Sequence, residues 1–181
     1  MTKRKLIVIA TVTLLFCLAT TAAAEPGRAA RLVQGPSFER DSFSVRVPIT
    51  VDLTGVTVQG RAVELGAYVV RIDFDPARVQ FVEARPGTDF GRDVVTTQID
   101  RANAVGWVKL TSVQAGERGP SGVVNLTNAS FRELVEGGAS SIRVSVESLA
   151  STLIQDGGRS VTLSIPIEGL PRDEGRNPRE N

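Results

Sequence analysis

Histidine is absent from this chain of 181 residues, and the single cysteine lies at position 17. Without histidine, the sequence excludes Ser-His-Asp and Cys-His nucleophiles, the usual general base near neutral pH, and imidazole metal ligands. With no cysteine after Cys17, it also excludes a zinc site and a disulfide in the rest of the chain. A phosphate-binding glycine loop followed by lysine is missing as well. The sequence therefore predicts no cofactor, no metal and no enzymatic activity.

Residues 1–24 have the three-part pattern of a secretory signal peptide. Basic residues at Lys3–Lys5 precede the apolar run Leu6–Leu18, and the small residues Ala22–Ala24 supply a cleavage site. The apolar run is too short for a helix across about 30 Å of hydrocarbon. We therefore predict cleavage after Ala24, a secreted protein that is extracellular or periplasmic, and no membrane contact afterwards.

The charge of the remaining chain is close to neutral. The whole chain carries 21 Lys and Arg against 20 Asp and Glu, and the signal contains three of the basic residues and none of the acidic ones. Nucleic acid binding depends on clustered positive charge, so we predict no nucleic acid partner. Residues 25–40 are polar and loop-like, 41–168 form one domain, and the polar tail 169–181 is predicted to be disordered.

Alternating apolar residues indicate strands in the domain. Tyr68, Val70, Ile72 and Phe74 alternate with polar or exposed positions before the turn residues Asp75-Pro76. The longest alternation is Phe43, Val45, Val47, Ile49, Val51 and Leu53, whose side chains we expect to point into the core, with Pro48 on the opposite face. Because proline cannot donate a ladder hydrogen bond, Pro48 indicates an edge position or a bulge.

Five more apolar segments follow, each bounded by turn residues. They lie at 79–82, 105–113, 123–131, 142–146 and 161–167, with turns at Pro86-Gly87, 119–122 and Gly157-Gly158. No helical period of 10–15 residues separates them. The pattern therefore predicts an all-β fold, an antiparallel β-sandwich, rather than alternating strands and helices.

Two residue types in the domain could still carry chemistry. Asp73 and Asp75 are two apart, and a glycosidase needs only two carboxylates at a set separation, although a solvated residue and a turn residue are the commoner roles. Trp107 could offer a stacking platform to a sugar ring. If Val108 and Leu110 point inwards, Trp107 points outwards with Lys109. If Trp107 points inwards it is a core residue, which is the commoner case.

Three segments of the domain resemble cohesin modules. Gly66–Val82, read as GAYVVRIDFDPARVQFV and followed by Pro86-Gly87, resembles the third-strand region of cohesins, where an alternating strand ends in aromatic-Asp-Pro. Val45–Val51, with its internal proline, looks like the first long strand. Ser121–Phe131 resembles a later strand of the same family.

The resemblance implies a jelly-roll β-sandwich of about nine strands. It also implies secretion and non-catalytic binding of a dockerin-type protein partner through one flat sheet, in an extracellular assembly related to polysaccharide breakdown. The outer positions of the third strand would be the partner-binding residues: Ala67, Val69, Arg71 and Asp73. Cohesins that bind dockerins tightly tend to place Asn and Asp there, so Ala67 and Val69 depart from the pattern.

Three functions follow from these observations. The leading one is a protein-binding module that uses the face of Val69, Arg71 and Asp73. The second is direct binding of polysaccharide with Trp107 as the platform. The third is a glycoside-acting enzyme that uses Asp73 and Asp75.

Overall fold

The computed structural model describes residues 28–33, 39–41, 43–91, 94–114, 118–152, 154–156 and 159–168. The predicted signal (1–24), the predicted disordered tail (169–181) and the predicted turn at Gly157-Gly158 lie outside these residues. Within the described ranges, no helix is both long and apolar enough to cross a membrane.

The described residues form thirteen strands and one α-helix. In chain order they are β1 Arg31–Val33, β2 Glu39–Asp41, β3 Ser44–Asp52, β4 Thr57–Val58, β5 Arg61–Ala62, β6 Leu65–Asp73, β7 Val79–Pro86, β8 Val95–Thr96, α1 Ile99–Val105, β9 Trp107–Val113, β10 Val123–Glu133, β11 Arg143–Ser151, β12 Ile154–Asp156 and β13 Arg159–Val161. A short 3-10 turn, Gly138–Ser141, precedes β11.

Two sheets contain most of these strands. The first has five strands in the order β1-β3-β10-β7, with β2 also pairing with β3, and the second has four in the order β11-β6-β9-β8. Every pairing is antiparallel. The strands β4–β5 and β12–β13 form two small separate ribbons. The predicted antiparallel sandwich of about nine strands is therefore confirmed.

Apolar side chains from both sheets fill the space between them, as the alternation predicted. On β3 the odd-numbered residues from Val45 to Val51 are at most 4% exposed, and on β6 Tyr68, Val70 and Ile72 are at most 1% exposed. The Tyr68 hydroxyl spans the two layers and donates to the Leu126 carbonyl at 3.2 Å. A buried phenol with a partner of this kind is compatible with an apolar core.

The prediction that Phe43 points into the core is wrong. Phe43 lies in the turn before β3 and is 71% exposed. Its carbonyl still accepts a hydrogen bond from the Glu133 amide at 2.8 Å, but its side chain is outside the pleated strand. Because the inward and outward alternation holds only within a strand, it does not extend to this residue.

The segment 25–40, which the sequence presents as loop-like, contributes strands to the first sheet. β1 pairs with Thr50–Asp52 and β2 pairs with Ser44–Arg46, at the two ends of β3. Pro48 lies between these two pairings, where neither β1 nor β2 requires an amide hydrogen from β3. The edge-like position indicated by Pro48 is therefore present in the structure.

The helix α1 was not predicted from the sequence. It has seven residues and ends at Gly106, whose φ of 77° is left-handed. The Asn103 carboxamide joins α1 to the edge strand β7: its Oδ1 accepts from the Phe81 amide at 2.7 Å, and its Nδ2 donates to the Phe81 carbonyl at 2.9 Å. α1 therefore covers this edge of the first sheet next to the start of β9.

The opposite side of the sandwich is closed by the two ends of the described chain. Residues 163–165 run beside β11, where the Ile165 amide donates to the Leu149 carbonyl at 2.9 Å. The Ala30 amide donates to the Pro166 carbonyl at 2.7 Å, and the Glu168 amide donates to the Ala30 carbonyl at 2.8 Å. Since β1 follows Ala30 directly, this segment connects the two sheets.

Candidate functional site

The outward surface of the four-stranded sheet is the candidate site. We call it the β6 face and define it by outward residues of three adjacent strands: Ala67, Val69, Arg71 and Asp73 of β6, Trp107, Lys109, Thr111 and Val113 of β9, and Ser145 and Glu147 of β11. β6 lies at its centre, between β11 and β9. Because its alternate residues are buried, these side chains must point away from the core.

The register of β6 and β9 brings outward side chains of the two strands close together. The Gln114 amide donates to the Gly66 carbonyl, and the Phe74 amide donates to the Gly106 carbonyl. The backbone amides and carbonyls of the even-numbered β6 residues therefore form the hydrogen bonds to β9. The odd-numbered outward residues form non-hydrogen-bonded pairs, in which the side chains are closest.

One half of the β6 face is apolar. Ala67 is opposite Val113, and Val69 is opposite Thr111. Ala67 and Val69 are half-buried, whereas Val113 is 66% exposed. On the other side of β6, Ala67 pairs with Ala150. The result is a strip of small and β-branched side chains that includes one exposed apolar residue, Val113.

The other half of the β6 face is charged and contains a fixed arginine. The Arg71 guanidinium binds the Asp73 carboxylate: Nε donates to Oδ1 at 3.0 Å and to Oδ2 at 3.1 Å, and Nη2 donates to Oδ1 at 2.7 Å. These hydrogen bonds raise the pKa of Arg71 further above its ordinary value. The same guanidinium carbon lies 4.9 Å from the centre of the Trp107 ring. Two independent contacts therefore fix the orientation of Arg71.

A second ion pair crosses this half from β9 to β11. Lys109 Nζ lies 2.6 Å from Glu147 Oε2, with 43% and 32% of the two side chains exposed. Glu147 reaches the face because it continues the alternation of β11, in which Val146 is buried and Ser145 and Glu147 are exposed. The register shift between Val146 and Ser148 ends that alternation, so that Ser148 is exposed as well.

Trp107 lies on the outer surface and not in the core. Val108 and Leu110 are fully buried, so the neighbouring residues Trp107 and Lys109 point outwards. Of the two orientations that the sequence leaves open, the structure has the outward one and not the commoner core position, because Val108 and Leu110 occupy the inward positions of β9. Since Arg71 lies over its ring, one face of Trp107 is already occupied.

The two candidate carboxylates have different environments. Asp73 is bound by Arg71 on the β6 face. Asp75 lies beyond the end of β6, where its Oδ1 accepts from the Ala77 amide at 2.9 Å and its carbonyl accepts from the Arg78 amide at 2.9 Å. Asp75 therefore stabilises the turn before β7, as its position before proline indicates. The described residues contain no group of three His, Cys, Asp or Glu side chains that could hold a metal ion.

The structure brings all four predicted partner-binding residues together with others that sequence reasoning missed. Thr111 and Val113 follow Trp107 and Lys109 at every second position, so the alternation of β9 could have identified them. Ser145 and Glu147 could have been identified in the same way, because they alternate with Val144 and Val146 on β11. The groups of the β6 face offer apolar area together with hydrogen bonds, which are the contacts that protein interfaces use.

The outer surface of the five-stranded sheet has a different character. Asn125 Oδ1 accepts from the Thr88 amide at 3.1 Å and from Asn128 Nδ2 at 3.2 Å, and Asn125 Nδ2 donates to Thr50 Oγ1 at 3.3 Å. These side chains satisfy one another and fix the loop after β7. This surface therefore presents little free hydrogen-bonding capacity around Asn125.

No protein-family model matches the sequence, and no curated protein matches it. Solved structures similar to the chain include a type I cohesin of Pseudobacteroides cellulosolvens, at 13% identity and a TM-score of 0.48, covering 81% of this chain and 97% of that one. A cohesin in a cohesin–dockerin complex of Clostridium thermocellum has 11% identity and a TM-score of 0.48, with 77% and 99% covered. A non-cellulosomal cohesin of Archaeoglobus fulgidus has 16% identity and a TM-score of 0.41, with 81% and 95% covered. These similar structures are cohesins, the family that the residue pattern of this chain resembles.

Proposed function

We propose that the chain is a secreted, non-catalytic, cohesin-like module that binds a protein partner through the β6 face. The observation that carries the proposal is the composition of that face. An apolar strip, in which Val113 is exposed and Ala67 and Val69 are half-buried, lies next to a tryptophan and an oriented arginine on one sheet. Aromatic residues and arginine are enriched in protein interfaces, and an exposed apolar patch with a polar rim marks such a site.

The residue pattern suggests the class of partner and the setting. The aromatic-Asp-Pro end of β6 and the proline in β3 resemble cohesins, which implies a dockerin-type partner in an extracellular assembly that acts on polysaccharide. The basic and apolar segments of residues 1–24 support secretion. Dockerin-bearing proteins of the same host are therefore the partners to test first.

A calorimetric titration of the chain with dockerin-bearing proteins tests this function. We expect Val69→Asp to weaken binding about tenfold or more, because the variant places a charged carboxylate in the apolar strip, where binding would remove it from water. Arg132→Gln is the matched control, since Arg132 is exposed on β10 in the other sheet. The proposal fails if no such protein binds, or if Val69→Asp binds as tightly as the parent chain.

The second candidate function is direct contact with polysaccharide, and the outward position of Trp107 is the observation in its favour. Arg71 lies over the ring, however, so a pyranose would have to displace a guanidinium that Asp73 also holds. Affinity electrophoresis in soluble glucans and xylans tests this function. Retardation of the parent chain that disappears in Trp107→Ala would establish it, and unretarded migration would remove it.

A further inference from the structure

Two cations are immediate neighbours at the centre of the β6 face. Arg71 and Lys109 are directly opposite each other on β6 and β9, in one of the non-hydrogen-bonded pairs with the closest side chains. Like charges in this arrangement repel and need compensation. The two acids that compensate them, Asp73 and Glu147, bind one cation each.

On the charged half of the β6 face, most of the groups that still lack a hydrogen-bond partner within the part of the chain that the structure describes are donors. Asp73 accepts with both oxygens from Arg71, and Glu147 Oε2 accepts from Lys109. A guanidinium has five N–H donors and an ammonium has three. Among the described residues, Arg71 donates only through Nε and Nη2, so its Nη1 donors are unused. Donors therefore remain on both cations.

The fixed orientation of Arg71 also lowers the conformational entropy that its side chain would lose when it binds a partner. Arginine normally loses much side-chain freedom when it binds a partner. Here the Asp73 carboxylate and the Trp107 ring already hold the guanidinium in one position. A bond from its free edge would therefore require little further ordering, which favours affinity.

We infer that the partner of the β6 face presents a carboxylate that binds between Arg71 and Lys109, next to an apolar side chain that packs on Ala67, Val69 and Val113. The inference rests on the proposed function and adds the chemistry of the partner. The carboxylate would accept from the donors that Asp73 and Glu147 leave unused on the two cations, and the apolar strip would supply contact area beside it. The face thus selects an acidic and apolar partner surface instead of one that donates to Asn and Asp acceptors.

A displayed library of helical hairpin peptides with randomised surface positions is a suitable probe. Peptides are selected on the full chain and counter-selected on Val69→Ser, which removes apolar area without adding a charge, so that peptides using the apolar strip remain. Selected peptides are then synthesised, together with analogues in which each Asp or Glu is replaced by its amide. Their affinities are measured by calorimetry for the parent chain, Arg71→Gln, Arg71→Lys, Lys109→Gln and the control Arg132→Gln.

We expect the selected peptides to be enriched in Asp or Glu at one position. For these peptides, Arg71→Gln and Lys109→Gln should each lower the affinity about tenfold, and the amide analogue should be insensitive to both substitutions. Arg71→Lys keeps the charge but loses the forked donor set, so its loss should be smaller, and Arg132→Gln should change nothing. Near-ultraviolet circular dichroism verifies that each variant is folded.

The other outcomes separate the two proposals. Peptides that depend on Val69 but show no acidic enrichment, or that bind Arg71→Gln as tightly as the parent chain, would overturn the carboxylate inference and leave the protein-binding function in place. A selection that yields no Val69-dependent peptide would count against the proposed function and the inference together.

Discussion

The Asn103 carboxamide takes the place of a neighbouring strand at the edge of β7, and replacing it should destabilise the protein. Both bonds involve Phe81, whose amide and carbonyl point out of the sheet at this edge. In Asn103→Ala, the two backbone groups lose their partners in a part-buried position. An unpaired group at such a site costs free energy, because water replaces the lost bond only in part.

The size of the effect follows from these two bonds. A hydrogen bond contributes about 0.5–1.5 kcal/mol net, so losing both should lower the free energy of unfolding by about 1–3 kcal/mol. For a chain of about 150 residues, each kcal/mol lowers the midpoint of thermal unfolding by roughly 2–4 °C, so the midpoint should fall by roughly 2–12 °C. Asn103→Asp should lose more than half of this amount, because it keeps an acceptor for the Phe81 amide but sets a carboxylate oxygen against the Phe81 carbonyl.

Urea unfolding followed by fluorescence is the appropriate assay, since Trp107 is the only tryptophan of the chain. Arg101→Ala is the matched control, because Arg101 is an exposed residue of the same helix. It should stay within about 0.5 kcal/mol of the parent chain. If Asn103→Ala unfolds at the same urea concentration as the control, the carboxamide does not stabilise the edge and the reasoning is refuted.

Three further predictions concern the core, a turn and the surface. Burial raises the pKa of Tyr68 from 10.0 to about 12, so the folded state holds this proton more tightly than the unfolded state, and the associated stability is complete below pH 10 and is lost as the pH rises towards 12. Because Tyr68 is the only tyrosine, its titration can be followed by tyrosinate absorbance, and a midpoint near 10 in the folded protein would contradict this prediction. Gly106→Ala should lower the free energy of unfolding in urea by about 1 kcal/mol or more, because its φ is 77° and the new Cβ would lie 2.7 Å from the Phe74 carbonyl oxygen. Gly122→Ala should lower it less, because Gly122 has a φ of 73° but open space around it, and equal losses would refute the role of the close approach. Phe43→Ala should change the free energy of unfolding by less than about 0.5 kcal/mol, whereas Phe131→Ala should lower it by about 3–5 kcal/mol, and a large loss at Phe43 would contradict its exposed position.

The sandwich could be predicted from the sequence because strand alternation is a local signal. Val45–Val51 and Tyr68–Phe74 show a strict period of two, and the turn at Asp75-Pro76 follows from residue type. The helix α1 could not be recognised, because seven residues are too few to establish a helical period and Ile99, Asp100 and Arg101 are all exposed. Phe43 was placed in the core because the alternation continues in the sequence beyond the end of the strand.

The candidate site was predictable along one strand but not across strands. Ala67, Val69, Arg71 and Asp73 follow from the alternation of β6 alone. Their neighbours depend on the order and register of strands far apart in the chain, which pair Arg71 with Lys109 and Asp73 with Trp107. The register shift in β11 leaves the successive residues Glu147 and Ser148 both exposed, and the sequence holds no local signal for this break in the alternation.

Backbone amide chemical shifts of the isotope-labelled protein, measured with and without a saturating partner, test the central claim most directly. The partner would be a dockerin-bearing protein or a selected peptide that binds in calorimetry. We expect the largest changes on the strands of the β6 face, at Val69, Arg71, Lys109 and Val113, with small changes on β3 and β10. Changes concentrated on β3 and β10, with the amides of β6 and β9 unmoved, would show that binding takes place on the other sheet and would contradict the account.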